Sequence, residues 1–322
     1  MTGVLVADKP AGWSSHDVVR RVKRLLGAAK VGHLGTLDPA ATGVLPLVIN
    51  RATRFASWLE RGEKEYAVEM TLGAETETYD SEGPIIRESD PGEITAGDLE
   101  RVLSGFRGTI SQVPPMFSAV KRKGRPLYKL ARKGITIERP PRDVEIFALE
   151  MTSIDMPVVS FTLRCGRGTY VRSLCHDAGK MLGCGAYMSA LRRIQSGAFH
   201  ISEAIDPAAL EKEALEGAII PLGEALLRAV EVFRDVSLDD RALRIEGAEE
   251  DIIVSDVMDL AIGTRVILPT DKGFFPFKDE GEMIRFTLNG LNLALASHIR
   301  GQLCKIKWVF EGPCNNEARK VL

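Results

Sequence analysis

Residues 32–45 read Gly-His-Leu-Gly-Thr-Leu-Asp-Pro-Ala-Ala-Thr-Gly-Val-Leu and contain the strongest candidate for a chemically active side chain, Asp38. Three glycines and a proline within twelve residues specify a tight loop that delivers one carboxylate just before an apolar run. Glycine lets backbone approach a ligand closely, and a proline at the next position biases Asp38 towards extended geometry. An aspartate held that way projects into a cleft, where it is available for nucleophilic attack or proton abstraction. The residue types also fit a plain Asp-Pro turn. His33 lies in the same loop, Tyr66 on an alternating apolar stretch, and the segment 121–133 carries Lys121, Arg122, Lys123, Arg125, Lys129, Arg132 and Lys133.

Other chemistry lacks a motif. No GxGxxG follows a strand-like run and no GxxxxGK[ST] occurs, so dinucleotide and P-loop binding have nothing behind them. The loop offers no convincing second carboxylate for glycoside hydrolysis. Five cysteines with no CxxC pair argue against a disulfide framework and a structural zinc site. No apolar run approaches the ~20 residues of a membrane span. The N-terminus MTGVLVADKP has no basic stretch ahead of a leader-like segment, so a soluble, cytoplasmic chain is expected.

The net charge of −2 hides segregation: residues 1–60 carry +4, residues 61–100 carry −9, residues 101–200 carry +11 and the remainder −8. A strongly basic block inside a near-neutral chain fits a face for a polyanion, and equally a solvated surface balanced by acidic neighbours.

The elements that must position these side chains follow from periodicity. Val4–Val6 reads as a short buried strand; Ser14 or Ser15 caps a helix with Val18, Val22, Leu25 and Leu26 at helical spacing, closed by Gly27. Val44–Ile49 is a strand and 51–59 a helix. Tyr66, Val68, Met70 and Leu72 share one face of a strand. Residues 73–92 form a loop or exposed hairpin, and Thr95 with Asp98 opens a helix to about Ser104. Strands are expected near 135–150 and 158–165, a helix over about 170–182, and a further apolar segment over 186–194. The length suggests two domains at roughly 150 residues each, divided as 1–230 and an acidic, mostly β part at 231–322. Strands with intervening helices and no regular βαβ alternation point to an α+β fold.

The loop, together with the upstream Asp8-Lys9-Pro10-Ala11-Gly12-Trp13-Ser14-Ser15, resembles the N-terminal motifs of the TruB family of tRNA pseudouridine synthases. Further matches follow in order: Lys64-Glu65-Tyr66, residues 112–121, Gly168-Thr169-Tyr170-Val171-Arg172 and Leu191-Arg192-Arg193. The resemblance implies a largely antiparallel mixed sheet with flanking helices and a small PUA-like RNA-binding domain at the C-terminus. The implied activity is isomerisation of uridine 55 in the TΨC arm of tRNA, without cofactor or metal and as a monomer needing no protein partner. Asp38 matches the catalytic aspartate and Arg172 the arginine that pairs with it. Tyr66 matches the tyrosine that stacks on a flipped uracil. Tyr170 and the backbone at Leu191 match positions lining the uracil pocket, the Leu191 side chain fitting core packing equally, and His33 matches a contact to the RNA at the vacated stack. Lys9 matches a lysine supporting the catalytic loop, while Lys121, Arg122, Lys123 and Arg125 become a phosphate-contacting surface. Trp13 departs from the motif, and the acidic 235–260 region leaves the C-terminal RNA grip in doubt. Two other readings remain: the catalytic subunit of a guide-RNA particle, disfavoured because the first motif already starts at residue 8, and a non-catalytic tRNA-binding or folding protein.

Overall fold

The computed structural model describes residues 1–118, 120–122, 124–208 and 211–229, and beyond these the strand segments from 234 onwards named below. Strand β1 (Gly3–Lys9) leads into helix α1 (Ser15–Leu26). Of the two candidate caps, Ser14 is the one used: it forms a reciprocal box with Asp17 that satisfies donors the first turn leaves unpaired. Val18, Val19 and Val22 are buried, and Gly27 closes the helix in the left-handed conformation. Next come β2 (Val31–His33) and β3 (Thr42–Ile49). The helix expected over 51–59 is a 3-10 segment, Asn50–Phe55, that runs into the single turn α2 (Ala56–Leu59). The Thr53 hydroxyl donates to the Asn50 carbonyl at 2.8 Å, the kind of local bond that competes with regular helix.

Strand β4 (Lys64–Leu72) buries Tyr66, Val68, Met70 and Leu72 on one face, as alternation requires. The 73–92 region is the hairpin of β5 (Ala74–Thr76) and β6 (Ile85–Glu88), and the Thr95–Asp98 box opens α3 (Ala96–Ser104). After β7 (Gly108–Gln112), a two-stranded ribbon, β8 (Lys121–Arg122) with β9 (Arg125–Pro126), precedes α4 (Leu127–Ala131). Strand β10 (Arg142–Asp155) starts later than the expected position near 135. Pro140 and Pro141 stand directly before it, and neither can donate to a ladder. Then follow β11 (Val158–Cys165), α5 (Val171–Leu182), β12 (Ala186–Ser196), β13 (Phe199–His200), α6 (Lys212–Gly217), β14 (Ile220–Pro221) and α7 (Leu222–Ala229).

Ten of these strands form one sheet whose central order is β14-β1-β3-β12-β4-β11-β10-β7, with β2 beside β3 and β13 beside β12. Every pairing is antiparallel except that of β3 with β12. The fold is thus α+β, as the sequence suggests. Apolar side chains from the sheet, including Leu45, Leu47, Met70, Phe161 and Met188, pack with Val18 and Val22 of α1 and Leu174 and Ala178 of α5. Each such residue withdrawn from water stabilises by ~1.5–3 kcal/mol. Helix α5 comes so close to β12 that a Cβ on Gly179 would lie 2.1 Å from the Ala186 nitrogen.

Met1–Ala229 and Val230–Leu322 are two compact units. The second is a seven-stranded sheet, β15 (Arg234–Ser237), β16 (Ala242–Ile245), β17 (Asp251–Ile253), β18 (Arg265–Ile267), β19 (Met283–Leu288), β20 (Leu291–Arg300) and β21 (Leu303–Val309). Its order is β15-β19-β20-β21-β18-β16-β17. The turn-forming pairs Lys272-Gly273 and Asn289-Gly290 lie outside the described residues.

Where β3 meets β12, Gly43 pairs with Arg193 at φ 99°, and a Cβ there would fall 2.2 Å from the Arg193 carbonyl oxygen. Gly43→Ala is therefore expected to lower stability by more than about 1 kcal/mol, read as a reduced urea midpoint at unchanged slope.

Candidate active site

Asp38 lies between β2 and β3 with its backbone clamped on both sides. Before it, the Ser15 hydroxyl accepts from the Leu37 N–H at 2.9 Å and donates to the Leu37 carbonyl at 3.0 Å. After it, the Pro39 carbonyl accepts from the Gly12 N–H at 2.9 Å and from Lys9 Nζ at 3.0 Å. Lys9 is wholly buried and spends its other donors on the carbonyls of Pro10 and Trp13, so it stitches the first motif to the loop. Burial lowers its pKa to about 8, against the pull of Glu82 and Asp38. Leu37 and Ala41 are buried, which leaves the carboxyl between them nowhere to go but outward.

Arg172 meets that carboxyl from the first turn of α5. The helix start is fixed by the Gln112 side chain, whose oxygen accepts from the Tyr170 N–H at 2.8 Å and whose nitrogen donates to the Tyr170 carbonyl at 3.0 Å. Arg172 Nε lies 3.0 Å from Asp38 Oδ2, and Nη1 lies 3.2 Å from Asp80 Oδ2. Nη1 also donates to the Thr78 carbonyl at 3.0 Å and Nη2 to the Phe117 carbonyl at 2.9 Å. Every guanidinium nitrogen is engaged. The arginine and Asp80 are 6% and 4% exposed, whereas Asp38 keeps 35% of its side-chain surface open: a partly exposed carboxylate backed by a buried ion network.

Burial pushes the Asp38 carboxyl above the usual carboxylate range; Arg172 opposes the shift and the Asp80 charge adds to it. Glu82, exposed beside them, is also raised, by desolvation and by Asp80 and Asp38, while the hydrogen bond it accepts from the Ala40 backbone lowers it. Asp80 itself is fixed by the Thr78 hydroxyl and by the Glu82 N–H, both on Oδ1.

The expected residues divide into two groups around this network. Asp38, Arg172, Tyr170 and Lys9 come together as just described. Tyr66 is buried on β4 and receives a hydrogen bond from Arg193; burial raises its phenol, and the Asp38 charge raises it further. Arg193, itself 1% exposed, donates to the carbonyls of Val44 (2.6 Å) and Gly35 (3.0 Å). Leu191 lies opposite Val68 on β12 with its side chain in the core, and its carbonyl accepts from the Thr42 hydroxyl. His33 sits beside Arg193, Glu60 and His16, half-buried, with Nδ1 unpartnered and its pKa lowered chiefly by burial. Lys121, Arg122 and Arg125 occupy the β8–β9 ribbon, and Lys123 lies outside the described residues. Asp80, Gln112, Ser15 and Arg193 were missed as site residues. Asp80 hides among twelve acidic residues in 61–100, inside a stretch that reads as polar loop; the one local signal is its place in a turn ahead of Gly83.

A family model described as TruB family pseudouridylate synthase (N terminal domain) matches residues 23–171, and one described as tRNA pseudouridylate synthase B C-terminal domain matches residues 172–229. Proteins named tRNA pseudouridine synthase B are similar along most of the chain. The one from Syntrophotalea carbinolica is 43% identical, covering 83% of this chain and 88% of its own. That from Geobacter sulfurreducens is 48% identical over 67% and 71%, and that from Pseudomonas aeruginosa 46% over 70% and 74%. Among solved structures, a Cbf5-Nop10-Gar1 complex matches with a TM-score of 0.62 at 27% identity, over 96% of this chain and 85% of the other.

A carboxyl whose folded pKa is raised costs stability once it ionises. Asp38→Asn is expected to raise the urea midpoint at neutral pH, with the full gain above the folded pKa and none below the ordinary carboxylate value of about 4. Urea melts of the two proteins across that pH range measure it.

Proposed function

The chain belongs to the TruB family of pseudouridylate synthases, and we propose that it converts uridine 55 in the TΨC arm of tRNA to pseudouridine, with Asp38 acting on the ribose. The enzyme is an isomerase that turns uridine in tRNA into pseudouridine. The C1′–N1 bond breaks, the uracil turns within the site, and C1′ joins C5; N1 gains a proton and C5 loses one. No atom or electron is left over, so the balance calls for no cofactor.

The observation that carries the residue assignment is the chain Asp38–Arg172–Asp80, in which Asp38 alone stays partly open to solvent. Two routes use the same carboxylate: attack on C1′, or removal of a ribose proton to give a glycal. Both need Asp38 ionised yet reactive. An unshared arginine in a dry pocket would quench it, whereas a guanidinium shared with Asp80 holds its position and neutralises it only in part.

A stacked uridine must leave its stack before C1′ is reachable, at a cost of a few kcal/mol. Tyr66 is assigned the stacking face that recovers about 1–3 kcal/mol of it, with Tyr170 and the Leu191 backbone lining the uracil site and His33 contacting the RNA left behind. Lys9 keeps the loop in register. The basic segment of Lys121, Arg122, Lys123 and Arg125 is assigned phosphate contacts that position the RNA without reading sequence. The second unit is assigned a PUA-like RNA-binding role. Identities of 43–48% to proteins named tRNA pseudouridine synthase B, against 27% to the Cbf5 complex, favour a stand-alone enzyme over the subunit of a guide-RNA particle.

Asp38→Asn should abolish pseudouridine formation while leaving tRNA affinity within a few-fold. Mass-spectrometric mapping of an unmodified tRNA transcript incubated with the protein alone reads the modified position, and substantial turnover by the variant overturns the assignment. Replacing Lys121, Arg122 and Arg125 by Gln should weaken binding and reduce the salt slope by about 0.7–0.9 per lost phosphate contact, with the chemical step nearly intact.

A further inference from the structure

Helix α5 grips the Asp80 turn twice. Arg172 holds the Thr78 carbonyl and the Asp80 carboxylate. One helical turn later, His176 stacks on Tyr79, the residue between them, with ring centroids 3.7 Å apart and planes within 11°. Tyr79 adopts φ 66°, a left-handed conformation that an aromatic residue rarely takes unless its surroundings enforce it. The enforcing bonds are visible. The Tyr79 N–H donates to the Thr76 carbonyl at 3.2 Å, the Met188 N–H donates to the Tyr79 carbonyl at 3.0 Å, and the Thr76 hydroxyl donates to the Asp80 carbonyl at 2.7 Å.

His176 is 4% exposed and its Nδ1 has no hydrogen-bond partner. Lys180 from α5 and Glu75 from β5 are the charges it feels, and burial lowers its pKa to about 4, so the ring is neutral when it stacks. A buried histidine that neither titrates near neutrality nor bonds through Nδ1 contributes by its flat face. That face lies on a residue that is only half-buried itself, so core filling does not account for the pair.

We propose that Tyr79 and His176 are positioning residues for the isomerisation: their stack locks the 76–80 turn so that Asp80 meets Arg172, and thereby sets where Arg172 holds Asp38. The inference rests on Asp38 being the acting carboxylate. Both rings act through Asp80 and Arg172 and touch no reacting atom.

The test is single-turnover pseudouridine formation by the full chain in excess over an unmodified tRNA transcript, with tRNA affinity and thermal melting measured alongside. Tyr79→Asn keeps a residue that tolerates the left-handed conformation and removes the ring. It should slow the chemical step about tenfold to a hundredfold, the size expected of sub-ångström to ångström misplacement, with tRNA affinity unchanged. Tyr79→Phe should restore the rate. In an Asp80→Asn background, Tyr79→Asn should cost nothing further, because the group it positions is already gone. A wild-type rate for Tyr79→Asn, equal damage from Phe and Asn, or full additivity with Asp80→Asn would overturn the proposal. Turnover by Asp38→Asn would instead sink the reading on which it rests, and the two failures are read from different variants.

Discussion

A single buried guanidinium with every nitrogen engaged is the constraint on which the rest of the site depends. Arg172 lies in the first turn of α5, where the helix dipole disfavours a cation, and it is almost completely removed from water. Its burial is offset by the Asp80 carboxylate and two carbonyls, with Asp38 on the remaining nitrogen. Those four partners come from the Asp38 loop, the 78–80 turn and the segment around Phe117. Satisfying one buried charge therefore pins three separate stretches of chain to the start of one helix.

The same economy governs the loop that carries Asp38. Its neighbours are held through backbone atoms, by a serine hydroxyl, an amide and a buried ammonium. Side-chain identity at Leu37 and Pro39 matters less than where their peptide groups lie. Lys9 offers no salt bridge to Asp38; its charge is spent on carbonyls, which keeps the loop stiff without neutralising the group it presents. Rigid support with incomplete neutralisation is what a reactive carboxylate needs.

What could be read from the sequence was whatever is written locally. The Thr95–Asp98 box, the alternation from Tyr66 to Leu72 and the Gly/Pro-marked loop around Asp38 depend on residues within a few positions of one another, and each has its counterpart in the structure. Arg172 and Tyr66 took their expected roles from the family resemblance, since a lone arginine and an alternating tyrosine carry no such signal. Asp80, Gln112 and Arg193 were illegible for a related reason. Their significance comes from partners on distant strands, and an acidic residue in an acidic stretch looks like solvated surface until a buried cation is found beside it. The apolar pattern near 135 predicts an earlier start for β10 than the structure has, because Pro140 and Pro141 hold the strand back to Arg142.

The one parallel seam in the large sheet joins Thr42 to Arg192 across 150 residues of chain. Pairings that distant form late and fold slowly. As the chain leaves the ribosome, the segment bearing Asp38 emerges long before β12 exists to cover the inner edge of β3. Until then that edge is open to unwanted partners, a hazard of partly made sheets. Catalytic competence thus arrives only with the closing of the sheet, and a nascent chain carries an aspartate that has nothing yet to act with.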